Sequence, residues 1–143
     1  MTFALPLLRR ALRQNLYSID PIVSNITRDL LGLAYTPGVG ATCLDIKEDF
    51  AQSNQLTLRG RSVALVSDGS MLGVRGRAFM PVMDWFVYQI KHHSGLDAFP
   101  FVVSERTDLT GLFRDLSTTY GSIAYLDSKE DFVVPADVLF IRQ

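Results

Sequence analysis

A single cysteine, Cys43, stands in 143 residues. One thiol cannot build an internal disulfide framework or a zinc site, so disulfide-stapled secreted scaffolds and zinc modules are excluded. The expected setting is a reducing compartment rather than the secretory route. Cys43 itself is expected to be a small buried apolar residue. An excess of basic charge is also missing. Fourteen Lys and Arg face fifteen Asp and Glu, for a net charge of −1. No positive field is available to hold phosphate backbones, and no nucleic-acid partner is expected. Nor does any apolar run approach the roughly 20 residues that cross a bilayer as a helix, so no transmembrane segment is expected. What remains is ordinary for a folded domain: 48% hydrophobic and 20% charged residues. The length suits one domain with its own core, here residues 1–143.

The first 20 residues read in two ways. Arg9, Arg10 and Arg13 occur with no acid before Asp20, and Phe3, Leu7 and Ala11 recur at helical spacing, as do Leu8, Leu12 and Leu16. An amphipathic helix covering the core explains this pattern. So does an uncleaved mitochondrial targeting segment, which would place the protein in the mitochondrial matrix. A cytoplasmic location is the alternative.

Further along, Thr27 is placed to cap a short helix through Leu33. Tyr35 to Gly40, with two glycines and a proline, reads as a loop. A helix over 41–51 should follow, with Leu44 and Phe50 in the core. Ser62 to Ser67 is a nearly continuous apolar run, the mark of a strand buried on both faces. The pattern then predicts a helix over 78–93, a strand over 97–103, a helix capped by Thr107 and ending near Tyr120, and strands at 122–126 and 138–141. Strands alternating with helices imply an α/β fold: three layers around a small, mainly parallel sheet.

Candidate chemistry is sparse in the motifs. Gly69 to Gly76 follows a strand and precedes a helix but lacks the glycine spacing of a dinucleotide fingerprint, so a tight connection is the expected role. His92 and His93 are neighbours that point apart on a helix, which suits charge at the helix C-terminus better than a shared metal. Asp45, Glu48 and Asp49 read as a solvated helix face. Asp127, Glu130 and Asp131 are ordinary loop carboxylates that could also hold a cation.

Three segments in series carry a resemblance. Arg28-Asp29-Leu30-Leu31-Gly32-Leu33-Ala34-Tyr35-Thr36-Pro37-Gly38-Val39 is similar to the tyrosine-bearing segment of malic enzymes. Gly60 to Ser70 (GRSVALVSDGS) resembles their following strand and turn, and Pro81-Val82-Met83-Asp84 with Gly95 to Pro100 (GLDAFP) the next helix-to-strand block. Order and spacing agree over about 25–127. The resemblance implies the N-terminal domain of that family, a general-acid tyrosine at Tyr35 and a ligand loop at Pro37, Gly38 and Val39. It also implies several losses. The general-base lysine position holds Phe86, preceded by Trp85 in place of glycine. Lys91 matches a later lysine that should not reach the same place. The adjacent metal-binding carboxylates fall at Leu126 and Asp127, so one is missing, and the stretch between Ser70 and Pro81 is shortened enough to reshape the pocket wall. A third metal carboxylate and the nucleotide domain are expected beyond Gln143. The implied protein is a catalytically degraded copy with no metal and no cofactor, acting as a structural or accessory subunit. It would work through protein partners or as a homo-oligomer, with Trp85 and Tyr88 as a partner surface. The alternative is a small-carboxylate site for malate, pyruvate or oxaloacetate around Tyr35, enol–keto chemistry there, or one half of a split enzyme.

Overall fold

The computed structural model describes residues 18–20, 27–70, 73, 75–126 and 138–140. The predicted opening helix, Asp127, Glu130 and Asp131 lie outside the described residues. Helix α1 (Arg28–Leu33) starts where Thr27 caps it, its hydroxyl accepting the Leu30 amide at 3.2 Å. The predicted loop over Tyr35 to Gly40 is instead a kinked helical turn, Ala34–Val39, that joins α1 to α2 (Gly40–Glu48). The kink has a local cause: Thr36 is extended (φ −137°, ψ 113°), as the residue before a proline prefers to be. Thr42 donates its hydroxyl to the Gly38 carbonyl at 3.2 Å across the junction.

Short turns of helix at Phe50–Gln52, α3 (Ser53–Leu56) and Leu58–Arg61 then lead into the sheet. Arg59 fastens this helical arm to the domain. Its guanidinium donates to the Ser117 carbonyl at 3.1 Å and to Asn54 Oδ1, and it lies 5.1 Å from the centre of the Phe50 ring.

Four parallel strands follow in the order β2-β1-β3-β4. They are β1 (Ser62–Ser67), β2 (Asp97–Val102), β3 (Ser122–Leu126) and β4 (Val138–Phe140). All six residues of β1 are buried, as its unbroken apolar run predicts. Alternation along the strands divides the core between two faces. On one face Val63, Leu65, Ala98, Ala124 and Leu126 meet helix α4 (Met80–Ser94) through Met83, Phe86 and Val87, with Phe79 added from the helical turn Gly76–Phe79 that leads into it. On the other, Ala64, Val66, Ile123 and Tyr125 meet α5 (Leu109–Thr119) through Phe113 and Leu116. Helix, sheet and helix make the three layers expected. Parallel neighbours joined through helices on opposite faces are what right-handed crossovers require when the strand order reverses at β1. No helix of the described residues is long and apolar enough to cross a membrane.

Three local expectations are corrected. Asp108, not Thr107, caps α5 by accepting the Thr110 amide at 3.1 Å, while Thr107 accepts the Ser104 amide at 3.2 Å in the preceding turn. Leu44 and Phe50 are 61% and 55% exposed rather than in the core, because no layer among the described residues covers the helical arm. Cys43, on the same arm, is exposed and not buried.

Candidate functional site

In parallel α/β sheets, ligand sites gather where the strands' carboxyl ends meet their loops. Here β1 and β3 are tied at that edge. The Ser67 hydroxyl donates to the Leu126 carbonyl at 2.9 Å and accepts the Gly69 amide at 3.1 Å. Gly69 (φ 79°) makes the turn that follows, and Asp68 holds it by accepting the Ser70 amide at 2.8 Å. Gly73 and Gly76 are also left-handed (φ 64° each), so the glycines here serve chain reversal, as a tight connection requires.

Helix α4 carries the positions singled out in the sequence. Phe86 faces the sheet, 8% exposed, in the same apolar cluster as Leu126, which is fully buried. The general-base position and one metal-ligand position implied by the resemblance are thus both occupied by core side chains. Trp85 lies outside, 46% exposed, its ring stacked 5.7 Å from Tyr88. Tyr88 in turn stacks 5.7 Å from His92, and His92 meets His93 edge-on at 4.9 Å, so aromatic rings run along this face of the helix. The histidines join this row and stand with Lys91 in the last turn of the helix, as expected for basic residues at a helix C-terminus. The hydrogen bonds at that end come from Lys91, which donates to the Gly95 carbonyl at 3.3 Å and to Asp97 at 2.6 Å, and left-handed Gly95 closes the helix.

Tyr35 is not brought to these residues. It sits on the helical arm, 75% exposed, and Val39 beside it is 50% exposed. Pro37 and Gly38 form the kink, where a Cβ on Gly38 would stand 3.1 Å from the Leu33 carbonyl oxygen. Asp45 and Glu48 are exposed, as a solvated face should be. Asp49, also exposed, accepts the Ala51 amide at 3.0 Å. Among the described residues no group of three His, Cys, Asp or Glu side chains is arranged to hold a metal ion.

The sequence reading did not single out an arginine-rich cleft. A cavity of about 630 Å³ opens beside the carboxyl ends of β1 and β2, lined by Asp68, Arg75, Arg77, Met80, Glu105 and Arg106 among others. Arg75 pairs with Glu105. The one available signal was the shortened stretch between Ser70 and Pro81, which supplies two of the three arginines.

Sequence comparison places relatives beside this geometry. No family model matches the chain. The NAD-dependent malic enzyme of Geobacillus stearothermophilus is 35% identical over 103 residues, 68% of this chain and 22% of that protein. The NADP-dependent malic enzyme of Haemophilus influenzae is 34% identical over 117 residues, 78% of this chain and 16% of that protein. Its homologues are malic enzymes. The malic-enzyme-like chain therefore spans about a fifth of the length of the curated relatives it matches, and it resembles an N-terminal-like fragment of them. Solved structures agree. The NAD-dependent malic enzyme of Thermotoga maritima superposes with a TM-score of 0.73 at 28% identity, covering 89% of this chain and 37% of that one. The malic enzyme of Entamoeba histolytica gives 0.76 over 96% of this chain and 32% of that one; at 20% identity it speaks for the fold alone.

Proposed function

We propose that this malic-enzyme-like chain does not oxidise malate and serves as a structural or accessory, protein-binding subunit of a larger assembly. The observation that carries the reading is the shared burial of Phe86 and Leu126. A phenyl ring cannot take a proton and a leucine cannot ligate a cation. Both also fill core volume, so neither leaves room for a polar group to work beside it. Two surfaces supply candidate contacts. One is the aromatic row headed by Trp85 and Tyr88; large stacked rings are frequent anchors of protein interfaces. The other is the helical arm, where Leu31, Leu33, Tyr35 and Leu44 are 57%, 61%, 75% and 61% exposed. The acid-free, arginine-bearing opening of the chain favours the mitochondrial matrix as the compartment.

The test is the native mass of the protein isolated from its own cells, with malate-dependent NAD(P)H formation measured in the same fraction. A fixed stoichiometry in a larger assembly, with no turnover after Trp85→Ala releases the chain from it, supports the reading. A free monomer that reduces NAD⁺ or NADP⁺ with malate and Mg²⁺ overturns it.

A second reading rests on Tyr35. Its ring is open to solvent on the kinked turn Ala34–Val39, which leaves the phenol available to a small carboxylate such as malate, pyruvate or oxaloacetate. Enol–keto chemistry or completion of a split enzyme would follow from that. Thermal shifts with those three acids, with and without Mn²⁺, decide it: a ligand at 100 times its Kd adds roughly 2.7 kcal/mol, several degrees at this size.

A further inference from the structure

We infer that the cleft lined by Arg75, Arg77 and Arg106 is a binding site for the phosphoryl group of a small phosphomonoester. The site shares no residue with Phe86, Leu126 or Tyr35 and stands whether or not the chain oxidises malate. Two separate loops build it. Arg75 and Arg77 lie in the segment between β1 and α4, and Arg106 in the turn between β2 and α5. Segments about 30 positions apart in the chain thus bring three arginines to the lining of one cavity. Each guanidinium is a planar fork of donors matched to oxyanions. Three forks exceed what the two oxygens of a flat carboxylate can use and suit the three terminal oxygens of a phosphomonoester.

The chain between the arginines and the helix lines the cleft as well: the turn Gly76–Phe79 runs directly into α4, the Met80 amide donating to the Arg77 carbonyl, and Gly76 and Met80 both border the cavity. Counter-charges are present but weakly committed. Glu105 pairs with Arg75, yet both side chains are half-exposed (50% and 56%), so a ligand oxyanion can displace the glutamate at little cost. The other acid, Asp68, already accepts the Ser70 amide. Arg77 and Arg106 form no ion pair or hydrogen bond among the described residues. Three arginines against two carboxylates leave a net charge of +1 for the ligand. The volume, about 630 Å³, falls in the usual range of roughly 300–1,000 Å³ for small-molecule sites, and Met80 and Val102 offer apolar surface to the ligand's body.

The experiment uses the full chain, with inorganic phosphate and phenyl phosphate as probes and sodium chloride of equal ionic strength as control. Both phosphates should raise the melting temperature by several degrees at millimolar concentration. Arg77→Gln/Arg106→Gln should lose at least two-thirds of that rise. Glu105→Gln, an exposed change that leaves the core untouched, should tighten phosphate severalfold by removing the competing carboxylate. Three results overturn the inference: an equal rise with chloride, an undiminished rise in the double variant, or malonate matching phosphate, which would make this a carboxylate cleft. If the double variant does not fold, Glu105→Gln decides alone, and unchanged or weaker phosphate binding rejects the site.

Discussion

Lys91 Nζ lies 2.6 Å from Asp97 Oδ1, joining the last turn of α4 to the first residue of β2. The carboxylate side chain is 6% exposed and the lysine 43%. Arg61 stands at 3.8 Å, a more distant second partner. This contact gives Lys91, which follows Phe86 on the same helix, a structural role. Lys91→Met should remove a charge-assisted bond to a buried acceptor and cost about 1–3 kcal/mol, with Arg61 compensating in part. Urea denaturation measures it; a change within 0.5 kcal/mol, the size of ordinary surface effects, would show that the pair contributes nothing.

Gly60 packs two turns of the arm against each other, and Gly121 brings the domain up to the same place. A Cβ on Gly60 would stand 1.8 Å from the Asn54 carbonyl oxygen, and one on Gly121 would stand 2.4 Å from that of Arg59. Both obstacles are backbone atoms, which cannot rotate away. Gly60→Ala is expected to destabilise by about 1–3 kcal/mol, the cost of overpacking a tight contact. The amide exchange of 50–61 should rise with it. Exchange unchanged in that segment would mean that the arm does not depend on this close approach.

Cys43 gives a direct check on the arm. An exposed thiol on an uncovered helix should react with a disulfide reagent in the native protein, one equivalent per chain, within about tenfold of the rate in denaturant. Protection by orders of magnitude would mean that something covers α2, either a partner chain or residues outside those described.

The arm is also where sequence reasoning fell short. The strands were legible because a six-residue apolar run such as Ser62 to Ser67 has no stable place except between two layers. The recurrence of Met83, Phe86, Val87 and Ile90 likewise left α4 one way to face the sheet. Leu44 and Phe50 carried the same apolar signal, but a pattern tells which face is greasy and not whether another layer covers it. The swap from Thr107 to Asp108 as helix cap is a near-degenerate choice between adjacent good cappers. The arginine cleft was out of reach because its parts come from loops that the chain brings together only through the parallel sheet. Phe86 and Leu126 could be recognised as departures from a family pattern, yet their joint burial needed coordinates.

That joint burial makes the sharpest prediction about chemistry. Phe86→Lys restores the side-chain type that the resemblance places at this position, but puts an ammonium among Met83, Val87 and Leu126. Burial disfavours the charged form and lowers the amine's affinity for its proton. The fold also loses the ring's packing. Together these should cost on the order of 3 kcal/mol or more, against less than about 1.5 kcal/mol for Phe86→Leu, which keeps the site apolar. On the proposed reading, malate-dependent NAD(P)H formation should stay at background in both variants, because Leu126 still stands where the resemblance places a metal-binding carboxylate. Turnover appearing in Phe86→Lys, alone or mixed with a nucleotide-binding domain of a malic enzyme, would instead mean that one proton acceptor was all the site lacked. The split-enzyme reading would then replace the accessory-subunit one.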